Sequence, residues 1–187
     1  MGFRFSGWRE RGPADGANAD GPVSRPPQLI VRPTRLAMTR DVYDEIVATV
    51  GSLRAEHGGA LGRYENEEAV RFFQFDRTSR NTGATYSPDH ETLNAIFRSE
   101  WNPQGIRLAG FVHSHPSGFS RPSAGDLYYA ERILAAIADL PFLFLPIVQT
   151  VPDRGSFRLA PFVVFRAGES VTCRRVALEL LDAEVRT

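Results

Sequence analysis

One short segment, Phe111-Val112-His113-Ser114-His115-Pro116, constrains the fold more than any other part of the chain. Residues 106–112, apolar except for Arg107 and with branched and aromatic side chains, have the composition of a buried strand, and His113 and His115 extend it. Side chains alternate across a strand, so if it continues to His115 both imidazoles emerge on the same face. Pro116 has no N–H to give to a ladder and ends the strand. Gly118 and Pro122 then reverse the chain. A helix begins at Ser123 or Ala124 and runs to about Leu140, with Leu127, Ala130, Ile133, Leu134 and Ile137 along one face. Asp126 falls in its first turn.

This arrangement suits a metal ion. The two histidines supply half a zinc site and Asp126 a third ligand, which leaves one tetrahedral position for water, as in catalytic rather than structural zinc centres. Zinc lowers the pKa of such a water to about 7. A base must still orient the water and return its proton to a leaving amine, and a carboxylate within hydrogen-bond reach would serve. The expected cofactor is one Zn(2+) per chain with a catalytic water, held by His113, His115 and Asp126.

The same residues resemble a known family. His113-x-His115, seven residues, then Ser123-x-x-Asp126 reproduces the H-x-H-x(7)-S-x-x-D signature of the JAMM (MPN, JAB-domain) zinc metallopeptidases. Upstream, Glu56-His57-Gly58-Gly59-Ala60-Leu61-Gly62 resembles the Glu-x-Gly-Gly segment of that family. The resemblance covers residues 29–166 and implies that Glu56 is the general acid/base and that Ser123 hydrogen-bonds the substrate carbonyl and helps to stabilise the oxyanion. It also implies an α+β fold, a mixed and largely antiparallel β-sheet flanked by helices in the cytidine-deaminase-like MPN/JAB architecture. Similar proteins cleave the amide or isopeptide bond after the Gly-Gly tail of ubiquitin-like proteins. The implied partners are a ubiquitin-like protein or its conjugate, with activating and conjugating enzymes of the same bacterial operon.

Three other readings remain open at this point: a processing peptidase for a sulfur-carrier protein or small peptide, a non-catalytic MPN scaffold, and a RadC-like DNA-associated protein, whose His-x-His-Pro-Ser-Gly segment resembles residues 113–118. Balanced charge, 22 basic against 22 acidic residues, gives no electrostatic argument for nucleic acid or an anionic membrane. Neighbouring zinc and serine chemistries fail on their motifs, because one cysteine cannot supply Pro-Cys-x-x-Cys and neither His-Glu-x-x-His nor Gly-x-Ser-x-Gly occurs. Cys173, the single cysteine, excludes an internal disulfide and fits a reducing compartment. No secretory signal is visible, and the longest apolar stretch, residues 140–148, is broken by Pro141 and Pro146 and too short to span a bilayer, so the expected location is cytoplasmic.

The rest of the chain divides into a Gly/Pro/Arg-rich leader (1–27), a catalytic domain (28–170) and a C-terminal strand or helix packed on it (171–187). Within the domain the patterns predict a strand at Leu29-Ile30-Val31, a helix over 38–53 with Thr39 as N-cap, and an antiparallel pair from residues 58–62 and 70–75. A second helix follows Ser87-Pro88-Asp89 and ends before Pro103. Residues 142–149 and 157–165 read as two further strands joined by the Asp153-Arg154-Gly155 turn. His57 and His90 match no ligand position, and of Tyr128 and Tyr129 helical spacing assigns one to the core.

Overall fold

The computed structural model describes residues 32–53, 56–81, 86–116, 118–151, 156–168 and 170–182. In chain order these form β1 (Arg35–Thr39), α1 (Arg40–Ala48), β2 (Gly58–Tyr64), β3 (Phe72–Phe75), β4 (Arg80–Asn81), β5 (Tyr86–Ser87), α2 (His90–Ile96), β6 (Ile106–His115) and α3 (Ala124–Ala136). Then come β7 (Phe142–Phe144), β8 (Ile147–Val151), β9 (Ser156–Ala160), β10 (Phe162–Ala167), β11 (Ser170–Arg175) and β12 (Ala177–Leu181). The architecture is mixed α+β with a largely antiparallel sheet. The leader, the strand expected at Leu29-Ile30-Val31 and the Asp153-Arg154-Gly155 turn lie outside the described residues.

The histidine strand β6 is the centre of an eight-stranded sheet whose main order is β11-β10-β7-β6-β2-β3. It pairs antiparallel with β2 on one side, and on the other it pairs parallel with β7 and then β8. Nine of its ten residues are buried, as expected of a strand covered on both faces. One layer of core holds Val42 and Ile46 of α1 with Leu36, Met38, Val112 and Val163. The opposite layer holds Ile133 and Leu134 of α3 with Leu93 of α2, Phe97, Trp101, Phe111 and Leu143. Burial of each such large apolar side chain contributes roughly 1.5–3 kcal/mol.

A register shift inside β6 sets which layer the histidines meet. Gly62 lies opposite Leu108, but Leu61 lies opposite Gly110, so Ala109 is an extra residue, a β-bulge. Ile106 and Leu108 before the bulge, and Phe111 after it, all join the α3 layer. Val112 joins the α1 layer. Odd-numbered positions beyond the bulge, His113 and His115 among them, therefore continue the face on which even-numbered positions began.

Prolines account for the main departures from the expected elements. Pro146 divides the expected 142–149 strand into β7 and β8, and Pro161 divides 157–165 into β9 and β10, since neither ring nitrogen can donate to a ladder. The β8–β9 pair is antiparallel, as the turn chemistry suggests. Pro103 does not stop the second helix: α2 passes through a π turn (Phe97–Trp101) into a 3-10 turn (Asn102–Gln104) that has proline in its first positions, where a missing N–H costs nothing. Gly105, at φ 72°, closes it. The first helix is shorter than its periodicity, because Met38 belongs to β1 and the chain turns after Ala48; Thr39 is its N-cap residue. The third helix ends at Ala136 rather than near Leu140.

Beyond residue 170 the described chain is strand, with β12 parallel to β1. Residues 58–62 and the strand β3 form the expected antiparallel pair, although β3 starts at Phe72 and Val70 makes only an isolated bridge with Met38. No helix among the described residues is long and apolar enough to cross a membrane.

Candidate metal centre

The described residues bring His113, His115 and Asp126 together at the C-terminal end of β6 and the N-terminus of α3. His113 Nε2 and His115 Nε2 are 2.9 Å apart. Asp126 Oδ1 lies 3.1 Å from the first and Oδ2 3.2 Å from the second. Four tetrahedral ligands with bonds of 2.0–2.1 Å to zinc stand about 3.3 Å from one another. Each imidazole nitrogen thus lies near that spacing from the other and from one Asp126 oxygen, a different oxygen for each ring, and with one donor atom per residue the three lie within 4.8 Å. Two imidazole nitrogens and a carboxylate also match the donor chemistry of a catalytic zinc site.

Local structure explains why Asp126 is available. Ser123 is the N-cap of α3, and its Oγ accepts the Asp126 N–H at 3.2 Å while an Asp126 carboxylate oxygen accepts the Ser123 N–H at 2.6 Å, a reciprocal capping box. The carboxylate is thus oriented from one side by the helix start and from the other by the imidazoles. Burial alone would raise its pKa, but the hydrogen bonds from His113 and His115, the His113 charge and the Ser123 N–H hold it far below the usual carboxylate range. For His115, burial favours the neutral ring, yet the Asp126 hydrogen bond and charge, the Glu56 charge and the approach of the Phe119 main chain together raise its pKa. Its Nδ1 is buried and forms no hydrogen bond of good geometry with the described residues.

Glu56 lies at the entry to β2. Gly58 is opposite His113, and Ser114 N–H donates to the His57 carbonyl oxygen at 2.8 Å, so the same register sets Glu56 opposite His115. Directly opposed residues of an antiparallel pair share a face. Only 6% of Glu56 is exposed, an unusual burial for a glutamate, and its charge is felt at His115. Buried Ser114 secures this end of the ladder, since its Oγ also accepts the His57 N–H at 3.0 Å.

Ser123 is exposed at the rim of the centre, and its Oγ accepts from Asp126 while the hydroxyl proton stays free to be donated. Ser123→Ala should lower folding stability by about 1 kcal/mol through loss of the cap. Denaturant melts measure it; a midpoint equal to that of the wild type would show that the cap does not hold the start of α3 in solution.

The other polar and aromatic residues divide as follows. Tyr129 packs edge-on against Phe111 in the core, whereas Tyr128 is exposed. His57 sits 6.2 Å from the Phe75 ring and His90 opens α2, and the converging group of His113, His115 and Asp126 includes neither. Two residues have no sequence signal that ties them to this place. Tyr86 stacks on the His113 ring, centroids 5.7 Å apart and planes 17° from parallel, and its hydroxyl donates to buried Asp76 at 3.1 Å. They lie in a stretch with no periodicity to reveal the contact, between a short strand and the start of a helix.

The chain is also similar to known proteins. The sequence profile of the prokaryotic homologs of the JAB domain matches residues 39–160, a span that includes Glu56, both histidines, Ser123 and Asp126. A protein from Desulfitobacterium hafniense solved in solution is 22% identical, with a TM-score of 0.48 over 79% of this chain and 94% of its own. A JAB1/MPN domain protein from Archaeoglobus fulgidus is also 22% identical, with a TM-score of 0.43 over 78% of this chain and 99% of its own. No curated protein matches the chain.

Proposed function

The chain belongs to the prokaryotic JAB-domain family, which includes metallopeptidases, and from that premise we propose that it is a zinc-dependent peptidase. Its substrate is the amide or isopeptide bond that follows the Gly-Gly tail of a ubiquitin-like protein. The observation that carries the reading is the convergence of the His113, His115 and Asp126 ligand atoms within 4.8 Å, beside a buried glutamate on the same face.

His113, His115 and Asp126 hold the ion. When bound, zinc supplies a water of pKa about 7 and polarises a carbonyl. Glu56 takes the proton of the attacking water and later delivers it to the scissile nitrogen, so that the C–N bond breaks with a neutral amine as the leaving group. Ser123 donates its hydroxyl proton to the carbonyl oxygen as negative charge develops there. Exposed Phe119 and Tyr128 lie in the loop before α3 and one turn into it, and they offer apolar contact to a chain entering the site. A Gly-Gly tail suits a confined entrance, because glycine brings no side chain to the constriction.

The test joins metal analysis to cleavage. Purified protein is expected to carry close to one zinc per chain and to cut a fusion in which a ubiquitin-like protein ends in Gly-Gly before a reporter. His115→Ala should lose both properties. Full cleavage by that variant, or a wild-type protein that takes up no zinc under any condition, would rule out the enzymatic reading.

A further inference from the structure

We propose that Tyr86, anchored by Asp76, is a positioning residue that holds the plane of the His113 imidazole toward the ion. The inference rests on the metal reading above and goes beyond it by naming what fixes one ligand. The torsion that turns a histidine ring about its own axis is soft, so a ring that must aim Nε2 at a point needs an outside constraint. Conserving that aim matters, because groups that orient ligands typically change metal affinity by about 10–100-fold when removed.

Three features of the structure make up the constraint. The phenol ring lies nearly parallel to the imidazole, 17° between planes, which blocks rotation of His113 on that side. The phenol itself is fixed by its hydrogen bond to Asp76 Oδ2, and the same oxygen accepts the N–H of Asp89, the N-cap residue of α2, at 2.9 Å. Asp76 is 2% exposed, and its own N–H donates to the Gly58 carbonyl oxygen at 3.0 Å, so the anchor is tied to β2 opposite His113. Finally, the position facing His113 across the ladder has to be empty. A Cβ on Gly58 would stand 2.7 Å from Cζ of Tyr86 and 2.5 Å from the Val112 carbonyl oxygen. The first glycine of the Glu56-His57-Gly58-Gly59 segment thus makes room for the ring that braces the ligand.

A fold-stabilising aromatic would act on melting temperature alone, whereas a brace acts on the metal's surroundings. Wild-type, Tyr86→Phe and Tyr86→Leu proteins are loaded with cobalt(II), whose ligand-field bands report ligand geometry, and zinc affinity is measured by chelator competition. Tyr86→Leu is expected to shift the bands and weaken zinc about tenfold or more. Tyr86→Phe keeps the ring face and should recover wild-type bands and most of the affinity. Its metal-free form should nevertheless melt at a lower temperature, because buried Asp76 loses a hydrogen-bond partner. If Tyr86→Leu does not fold, Tyr86→Met fills similar space without a ring and carries the same expectation. Identical bands and affinities in the wild type and the leucine or methionine variant, with the wild type binding metal normally, overturn this inference alone. A wild type that binds neither metal overturns the zinc reading and this inference with it.

Discussion

Glu56→Gln is expected to lower kcat by about a thousandfold, within the range that general acid–base groups contribute, while zinc content stays at the wild-type level. The amide matches the carboxylate in size, so the packing around a side chain that is 6% exposed is preserved. It removes the proposed proton acceptor and the charge beside His115 but none of the contacts that bring the ligand set together, since His113, His115 and Asp126 make those with one another. The pairing of lost turnover with retained zinc separates this variant from His115→Ala, in which both disappear. Steady-state kinetics on the Gly-Gly fusion and metal analysis of the same sample decide it. Turnover within a few-fold of the wild type would mean that the proton moves through another group.

Gly110→Ala is the substitution expected to damage the fold most. Gly110 sits in the central strand between Leu61 of β2 and Phe144 of β7. A Cβ there would overlap the Phe144 carbonyl oxygen and lie 2.8 Å from its carbonyl carbon. Main chain cannot swing aside as a long side chain can, and Phe144 is itself paired with Val163 of β10. Relief therefore requires β6 and β7 to part, and a loss of about 3 kcal/mol or more is expected, the upper range for overpacking. Urea unfolding followed by circular dichroism measures it; a midpoint equal to that of the wild type would show that the two strands are not packed this closely in solution.

The convergence of His113, His115 and Asp126 was legible in the sequence because each sits beside a strong local signal. Strand alternation set His113 and His115 side by side, Pro116 ended the strand, and Ser123 marked a helix start that carries Asp126 in its first turn. Glu56 was legible only through resemblance to a family, since nothing in its own neighbourhood announces a partner 59 positions away. Asp76 and Tyr86 were not legible at all: the stacking of Tyr86 on His113 and its hydrogen bond to Asp76 are made by tertiary packing across short strands without hydrophobic period. Strand boundaries failed at Pro146 and Pro161, where apolar composition continues through a residue that interrupts the ladder. The strand-or-helix ambiguity near residue 176 was settled in the structure by pairing of β12 with β1, a partner more than 130 residues earlier that local propensity does not register.

The extra residue at Ala109 gives the chain an unusual sensitivity. Because β6 is apolar on both of its sides, either side can be turned toward α1 or α3 with little change in how oily the strand is. Residue count, rather than residue type, thus decides where the two imidazoles end up. Two descendants of one ancestor that differ by a single deletion at this point would both fold as layered sheets, yet one would point its histidines away from the aspartate and be chemically silent.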